Sequence, residues 1–290
     1  ARDARRARSA AGGDLMRKLR AAAIQLRSGI EPAANRSAAT PLVREAAAAG
    51  ARLIATPENT LRMDRDRARM LAAVGPEQGD GELLAWGRLA QEHGVWLLLG
   101  SAPIAAGEDK VFNRSFLFDD KGKIAARYDK INLFDVALGG GESYRESDTV
   151  RGGTKAVLVS GPMDAKIGLS ICYDLRFAPL YAAYAKAGAD IITAPSAFTT
   201  PTGQAHWETL LRARAIETHA FIIAPAQGGR HEDGRATWGH SMIVDPWGKV
   251  LAKLDGDEPG LILADLDLDA VAAARAKIPA WRGGPEFEAP

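Results

Sequence analysis

The chain has 290 residues, 47% of them hydrophobic, which is enough to bury one substantial core in a single α/β domain. Its 37 Lys and Arg residues nearly balance its 36 Asp and Glu residues, so the charge predicts neither a nucleic acid nor an anionic membrane as partner. No apolar run approaches the roughly 20 residues of a membrane span, and a single cysteine cannot form an internal disulfide, which favours a reducing cytoplasm.

Residues 1–15 are predicted to be a disordered extension, because arginines lie there among Ala, Ser and Gly without an apolar core of signal-peptide length. Over 16–290 short apolar runs alternate with helical stretches, and no linker or repeat interrupts them. We therefore expect one domain over 16–290, built of packed helix and sheet layers.

The predicted elements follow this alternation along the chain. In the first half we expect strands over 20–26, 52–56 and 95–101, and helices after Asn35 and over 80–93. A hairpin follows, with one strand from Asn113 to Phe118 and a return strand from Lys123. The second half predicts strands over 166–172, 190–194 and 220–226, helices over 178–187 and 204–217, and a tight hairpin turn at Asp245-Pro246-Trp247-Gly248.

Cys172 lies where the apolar run ending at Ile171 gives way to the polar step Tyr173-Asp174-Leu175-Arg176. A lone cysteine in an apolar stretch is commonly a small buried hydrophobe. A cysteine at the end of a strand also suits a nucleophile, which needs a base and a donor for the oxyanion it creates. An acid and a lysine should then follow other strands.

Glu58 and Lys130 occupy such positions. Glu58 comes just past Pro57 at the end of a short buried strand, and Lys130 follows the return strand of the hairpin. Each signal is weak by itself, because a Glu after a strand is commonly a solvated loop residue and a Lys in a charged loop is commonly a surface cation.

In the chain order Glu58, Lys130, Cys172, these residues resemble the catalytic triad of the nitrilase superfamily of carbon-nitrogen hydrolases. The resemblance runs from about Leu19 to Phe287. Its most specific strings are Pro57-Glu58-Asn59, Asp129 to Asp135, Gly141 to Ser147, Gly168 to Phe177, Phe198 to Glu217 and Trp238 to Gly248.

The resemblance implies a four-layer αββα sandwich of the nitrilase type and hydrolysis through a thioester on Cys172. Glu58 would be the general base and acid, and Lys130 would hold the oxyanion together with the backbone N–H of Tyr173. Glu146 matches the second glutamate that the family places beside the lysine, for which we expect a positioning role. Glu142, in the same loop, is the rival candidate.

The string Tyr173 to Phe177 resembles the Nit branch of small-acid amidases. Gly229-Arg230-His231, followed by Ala236 to Ser241, is similar to the arm that acts on deaminated glutathione, and omega-amidases acting on α-ketoglutaramate form the neighbouring arm. We expect a small amide and water as reactants, no cofactor, no metal and a homodimer or higher homo-oligomer. Because a guanidinium fork matches a carboxylate, the candidates for binding the carboxylate of the substrate are Arg176, Arg212 and Arg214.

Two residues depart from the family pattern, although neither belongs to the triad. Asn132 stands where the family usually has His, and Ser196 stands where Ala or Gly is common.

Other functions are less well supported by the residues. A papain-like Cys-His enzyme is one alternative, although none of the five histidines lies in a local signature of that family. A non-catalytic binding protein on the same fold is another, although every triad residue is present. The motifs of metal hydrolases, serine hydrolases and nucleotide-binding loops do not occur in the chain.

Overall fold

The computed structural model describes residues 17–107, 109–139, 142–285 and 288. Two six-stranded sheets pack face to face, and helices cover the outer surface of each, which makes the four-layer αββα sandwich that the resemblance implied. The extension predicted at 1–15 lies outside the described residues. No helix in the described ranges is long and apolar enough to cross a membrane.

The first sheet is mixed, and its strand β1 divides its side chains between two cores. Ala21 and Ala23 face the second sheet, whereas Ala22 and Ile24 face the outer helices, as the two-residue period of a strand requires. The strands in spatial order are β16 (Gly260–Asp267), β1 (Lys18–Gln25), β2 (Leu53–Ala55), β3 (Trp96–Gly107), β4 (Lys110–Phe118) and β5 (Ile124–Asp129), and the helices that pack on the outer face are α1 (Pro32–Ala48) and α3 (Gly81–His93). The short helix α2 (Arg67–Ala73) lies between them in the chain.

The second sheet is covered by two helices whose buried residues include Tyr181 and Trp207. Its strands in spatial order are β15 (Val250–Lys253), β14 (Met242–Val244), β11 (Phe221–Ala224), β10 (Ile191–Thr193), β9 (Lys166–Leu169) and β8 (Leu158–Ser160), and its helices are α4 (Ala178–Ala187) and α5 (Thr200–Thr218). The remaining elements are two ribbons, β6 (Asp135–Gly139) with β7 (Glu142–Arg145) and β12 (Gly228–Arg230) with β13 (Ala236–Trp238), and α6 (Asp269–Lys277).

The pairing directions bring several strand ends to one edge of the sandwich. β2 is parallel to β3, and β5 has the same direction because two antiparallel pairings, through β4, separate it from β3. In the second sheet β9, β10 and β11 are parallel. A parallel bridge joins Leu26, just past β1, to Gln227, past the end of β11, and so places the carboxyl ends of both sheets side by side. Residues that follow β2, β5 and β9 therefore lie close together.

The predicted elements agree with the structure except at some of their ends. Helices α1 and α5 begin earlier than predicted, at Pro32 and Thr200, and each carries a proline in its first turn. Proline suits that place because its fixed φ is helical and its missing N–H needs no partner there. The strand predicted over 166–172 ends at Leu169, and Cys172 begins a 3-10 turn instead.

Candidate active site

Glu58 is carried by a loop that packs tightly against β3. A Cβ atom at Gly100 would lie 2.1 Å from the carbonyl oxygen of Thr56, so the close approach of the two segments requires glycine. Thr56 Oγ1 donates to the carbonyl oxygen of Leu98 at 3.0 Å, and the Asn59 N–H donates to Ser101 Oγ at 2.7 Å. These contacts hold the loop so that Glu58 is buried, with 3% of its surface exposed.

Lys130 extends the hairpin register of β4 and β5 by one residue. Its N–H donates to the carbonyl oxygen of Asn113 at 3.0 Å. The buried side chain places Nζ 2.8 Å from Glu58 Oε1 and 3.0 and 2.8 Å from the two carboxylate oxygens of Glu146. The structure thus brings together the three charged residues predicted for the site.

Asn113 is a site residue that the sequence reasoning missed. Its Nδ2 donates to Glu58 Oε1 at 2.9 Å and to Glu146 Oε1 at 3.2 Å, so one amide bridges the two carboxylates. The Phe134 N–H donates to the other Glu146 oxygen at 2.7 Å. The sequence held no clear signal for it, because Arg114 and Ser115 follow it in the same strand and are polar too. Glu146 therefore contacts the lysine as predicted, and the side chain of its rival Glu142 lies outside the described residues.

One buried ammonium is shared between two carboxylates. Burial by itself would lower the pKa of Lys130, but the negative charges of Glu146 and Glu58 raise that pKa well above its ordinary value. Lys130 is therefore a fixed cation. Its charge is divided between Glu58 and Glu146, so neither carboxylate has an ammonium to itself.

Cys172 occupies a strained corner between β9 and the 3-10 turn Cys172–Arg176. Its φ is +49°, a left-handed value that is uncommon for a residue with a side chain. Burial and the neighbouring Glu58 carboxylate, with which the thiol is hydrogen bonded, raise the pKa of Cys172 well above its usual value. Lys130 and the Ala197 backbone act in the opposite direction but do not outweigh them. The resting group is consequently a neutral thiol beside a carboxylate.

The four predicted catalytic side chains line a single cavity of about 360 Å³. Tyr173, whose backbone N–H was predicted to hold the oxyanion, lines it too. Within the described residues no group of three or more His, Cys, Asp or Glu side chains is arranged to hold a metal ion. The cavity is also rich in cations, with Arg65, Arg67, Arg145, Arg176 and Arg235 in its lining.

The three arginines predicted to bind a carboxylate are in different environments. Arg176 lines the cavity, where its guanidinium stacks over Phe198 at 5.2 Å and lies 3.3 Å from His206 Nδ1. The other two arginines lie away from this lining. Arg212 is half exposed and donates to the carbonyl oxygen of Gly248, and Arg214 is buried by its bonds to the Leu175 carbonyl oxygen and Glu217, so neither reaches the cavity lining.

A buried thiol with a carboxylate and an ammonium beside it is typical of enzymes that cleave bonds to a carbonyl carbon through a covalent intermediate. The chain belongs to the carbon-nitrogen hydrolase family, whose model matches residues 20–276.

Individual proteins that resemble the chain carry more specific names than the family. The chain is 45% identical over 247 residues to the deaminated glutathione amidase of Mus musculus, covering 83% of this chain and 75% of the relative. Saccharomyces cerevisiae Nit3, a member of branch 10 of the nitrilase superfamily, superposes with a TM-score of 0.80 at 27% identity, over 93% of this chain and 97% of that one. The amidase from Nesterenkonia sp. AN1, solved with the acetamide moiety of fluoroacetamide added covalently at its active site cysteine, has a TM-score of 0.76 at 26% identity, over 90% and 95% of the two chains.

The raised pKa of Cys172 predicts how the free thiol reacts. Methyl methanethiosulfonate reacts with thiolates and is not an amide substrate, so it reports on the free thiol alone. Its reaction with Cys172 should be slow at about pH 7 to 8. The rate should keep rising above about pH 8.5, where an ordinary thiol is half ionised. Mass spectrometry of the modified chain at a series of pH values measures this. A rate that levels off below about pH 8.5 would contradict a neutral resting thiol.

Proposed function

We propose that the chain is a thiol-dependent amidase that hydrolyses the carbon-nitrogen bond of a small ω-amido acid, with deaminated glutathione as its preferred substrate. The observation that carries the proposal is the Cys172 thiol beside the Glu58 carboxylate, with Lys130 bound to the same carboxylate at 2.8 Å. A carboxylate as the partner of the thiol also favours this mechanism over a papain-like one, in which the base is a histidine.

In the acylation step Glu58 accepts the thiol proton as Cys172 Sγ attacks the amide carbonyl carbon. Because burial and the Glu58 carboxylate raise the pKa of Cys172, the thiol needs Glu58 as its base for this attack. The oxyanion that forms is held by Lys130 Nζ and by the N–H of Tyr173, which follows the nucleophile at the start of the 3-10 turn. Glu58 then gives the proton to the leaving nitrogen, the carbon-nitrogen bond breaks, and a thioester remains on Cys172.

Deacylation repeats these roles with water. Glu58 takes a proton from a water molecule, whose oxygen attacks the thioester carbon, and Lys130 and the Tyr173 N–H hold the second oxyanion. The carbon-sulfur bond breaks, Cys172 recovers the proton and the acid is released. Glu146 takes no part in proton transfer in this scheme. Both of its oxygens hold Lys130 in place.

The size and charge of the cavity support the choice of substrate. About 360 Å³ exceeds what a simple primary amide needs, and the cavity lining carries five arginines. Deaminated glutathione is an elongated amide with a carboxylate at each end, so such a lining could neutralise it. The relative from Mus musculus is named for the same substrate. We assign Arg176 to one of the carboxylates because it lines the cavity close to the nucleophile in sequence.

Replacing the nucleophile tests the reaction class. Cys172→Ala should abolish turnover, and Lys130→Met should lower kcat by about 10² to 10³, the usual loss for one oxyanion donor. Rates are measured on deaminated glutathione, α-ketoglutaramate, aliphatic amides, carbamoyl amino acids and nitriles. Deaminated glutathione should give the highest kcat/KM, and nitriles and carbamoyl amino acids should be inert. Activity of the Ala variant within tenfold of the parent would contradict the proposed chemistry, and a preference for nitriles would contradict the substrate.

Arg176→Met tests the binding of the carboxylate. The substitution keeps the apolar stem but removes the charge. The kcat/KM for deaminated glutathione should therefore fall about thirtyfold, which corresponds to about 2 kcal/mol of transition-state binding. The kcat/KM for a neutral amide of similar size should change little. Arg212→Met, on the half-exposed residue outside the cavity lining, is the matched control and should leave both values unchanged. Equal losses on acidic and neutral amides would show that Arg176 has only a structural role.

We also propose that the chain forms a homodimer or larger homo-oligomer in a reducing, cytoplasmic compartment, where its free thiol stays reduced. An apolar patch on the outer surface supports the oligomer. Trp247 stacks on His219, whose ring also contacts the Ile278 carbonyl oxygen, and Ile216 packs close to Gly248, yet Ile216, Trp247 and Ile278 are each about half exposed. Subcellular fractionation of cells that express the chain tests the compartment.

Light scattering on the purified chain tests the oligomer. The parent should have at least twice the mass of one chain, and Trp247→Asp combined with Ile216→Asp should lower this mass by placing charges in the apolar patch. Leu84→Asp changes an equally exposed apolar residue on α3, on the opposite outer layer, and should have no effect. A monomeric parent, or the same mass for all three proteins, would contradict the proposal.

A further inference from the structure

We propose that Asp174 is a positioning residue for amide hydrolysis, which fixes the segment carrying Lys130 relative to the segment carrying Cys172. The proposal rests on the amidase function proposed above. Asp174 lies two residues after the nucleophile and is fully buried, with none of its surface exposed. It was noted in the sequence only as part of the polar step after Cys172, and no role was predicted for it.

Both oxygens of Asp174 accept two hydrogen bonds each. Oδ1 accepts from the backbone N–H of Asn132 at 2.9 Å and from Asn132 Nδ2 at 2.8 Å. Oδ2 accepts from the Tyr128 hydroxyl at 2.7 Å and from the Ile171 N–H at 3.0 Å. These donors are all uncharged, and four donors on two oxygens match what an ionised carboxylate can accept.

The donors bracket the two functional residues along the chain. Tyr128 and Asn132 lie two residues before and two residues after Lys130, and Ile171 immediately precedes Cys172. Lys130 follows β5 of the first sheet, and Cys172 follows β9 of the second. The Asp174 carboxylate therefore joins the two sheets at the point where the reaction takes place.

A carboxylate suits this place better than any other side chain of its size. An asparagine at this position has one oxygen and one NH₂ group. Two of the four donors would then face the NH₂ group, which is itself a donor, and would lose their acceptor. A buried donor without a partner is costly, and the chain relaxes by moving one segment away from the other. Asn132 supplies two of the four donors, its backbone N–H and its side-chain Nδ2. The asparagine that stands where the family usually has histidine therefore still provides a side-chain donor to Asp174.

The contacts of Lys130 determine which kinetic constant should change. Glu58 and Glu146 hold its ammonium independently of Asp174, so losing Asp174 shifts the oxyanion donor relative to Cys172 without removing its charge. A displacement of about 1 Å can cost about 10² in rate. Since Asp174 does not line the substrate cavity, binding of the ground state should be little affected.

The test compares Asp174→Asn, Tyr128→Phe and Asn132→Ala with the control Ser170→Ala. Ser170 is equally buried and lies two residues before Cys172, but its hydroxyl bonds to Tyr181 and Thr193 and does not reach the Lys130 segment. Asp174→Asn should lower kcat about 10²-fold, and the single-donor variants about tenfold, all with KM within about threefold of the parent. Ser170→Ala should keep kcat within about threefold at a similar loss of thermal stability.

The second readout is the reaction of Cys172 with methyl methanethiosulfonate across pH. Because Lys130 favours the thiolate, moving Lys130 away should shift the onset of reaction to higher pH in Asp174→Asn and Tyr128→Phe, and leave it unchanged in Ser170→Ala. If Asp174→Asn does not fold, the two donor variants carry the test. Equal loss of kcat in Ser170→Ala and the test variants, with no shift in the pH profile, would overturn the proposal.

The two proposals can fail separately. A parent chain that hydrolyses none of the amides contradicts the proposed function, but the thiol reaction still reports whether Asp174 sets the relation between Lys130 and Cys172. A parent that hydrolyses amides, with variants that change only in stability, contradicts the role of Asp174 alone.

Discussion

The shared ion pair of Lys130 with Glu58 and Glu146 is the interaction on which the site depends. Removing a charged group from water costs free energy, and removing one partner of a buried ion pair typically costs about 3 to 5 kcal/mol, because the other charge is left uncompensated. Here one cation serves two anions, and the amide of Asn113 and the N–H of Phe134 supply the remaining hydrogen bonds. Both carboxylates hold the lysine, and Glu58 is also the hydrogen-bond partner of Cys172.

This chemistry requires groups from both sheets, which explains the architecture around it. Glu58 and Lys130 follow strands of the first sheet that run in the same direction. They therefore meet at one edge of the sheet although they are far apart in the sequence. Cys172 comes from the second sheet. Its distance from the other two depends on how the sheets pack, and the buried Asp174 carboxylate is one of the polar links between the sheets at this edge.

Site residues could be predicted from the sequence where a local pattern marked them, and not where their role depends on residues far away in the chain. Glu58, Lys130 and Cys172 were recognised because each follows a strand and their order matches a family. Asn113 was missed because its role comes from the hairpin register, which places it opposite Lys130. The placement of Arg212 and Arg214 outside the cavity lining could not be foreseen, because a sequence does not tell which face of helix α5 borders a cavity.

The neutral thiol of Cys172 has a consequence for the durability of the protein. Oxidants such as peroxide attack thiolates, and the first product, a sulfenic acid, can be oxidised further to forms that cells rarely reverse. A nucleophile whose pKa is raised by burial and by a neighbouring carboxylate offers such oxidants little thiolate. The same burial that makes Cys172 depend on Glu58 for activation therefore protects it from irreversible damage while the cavity is empty.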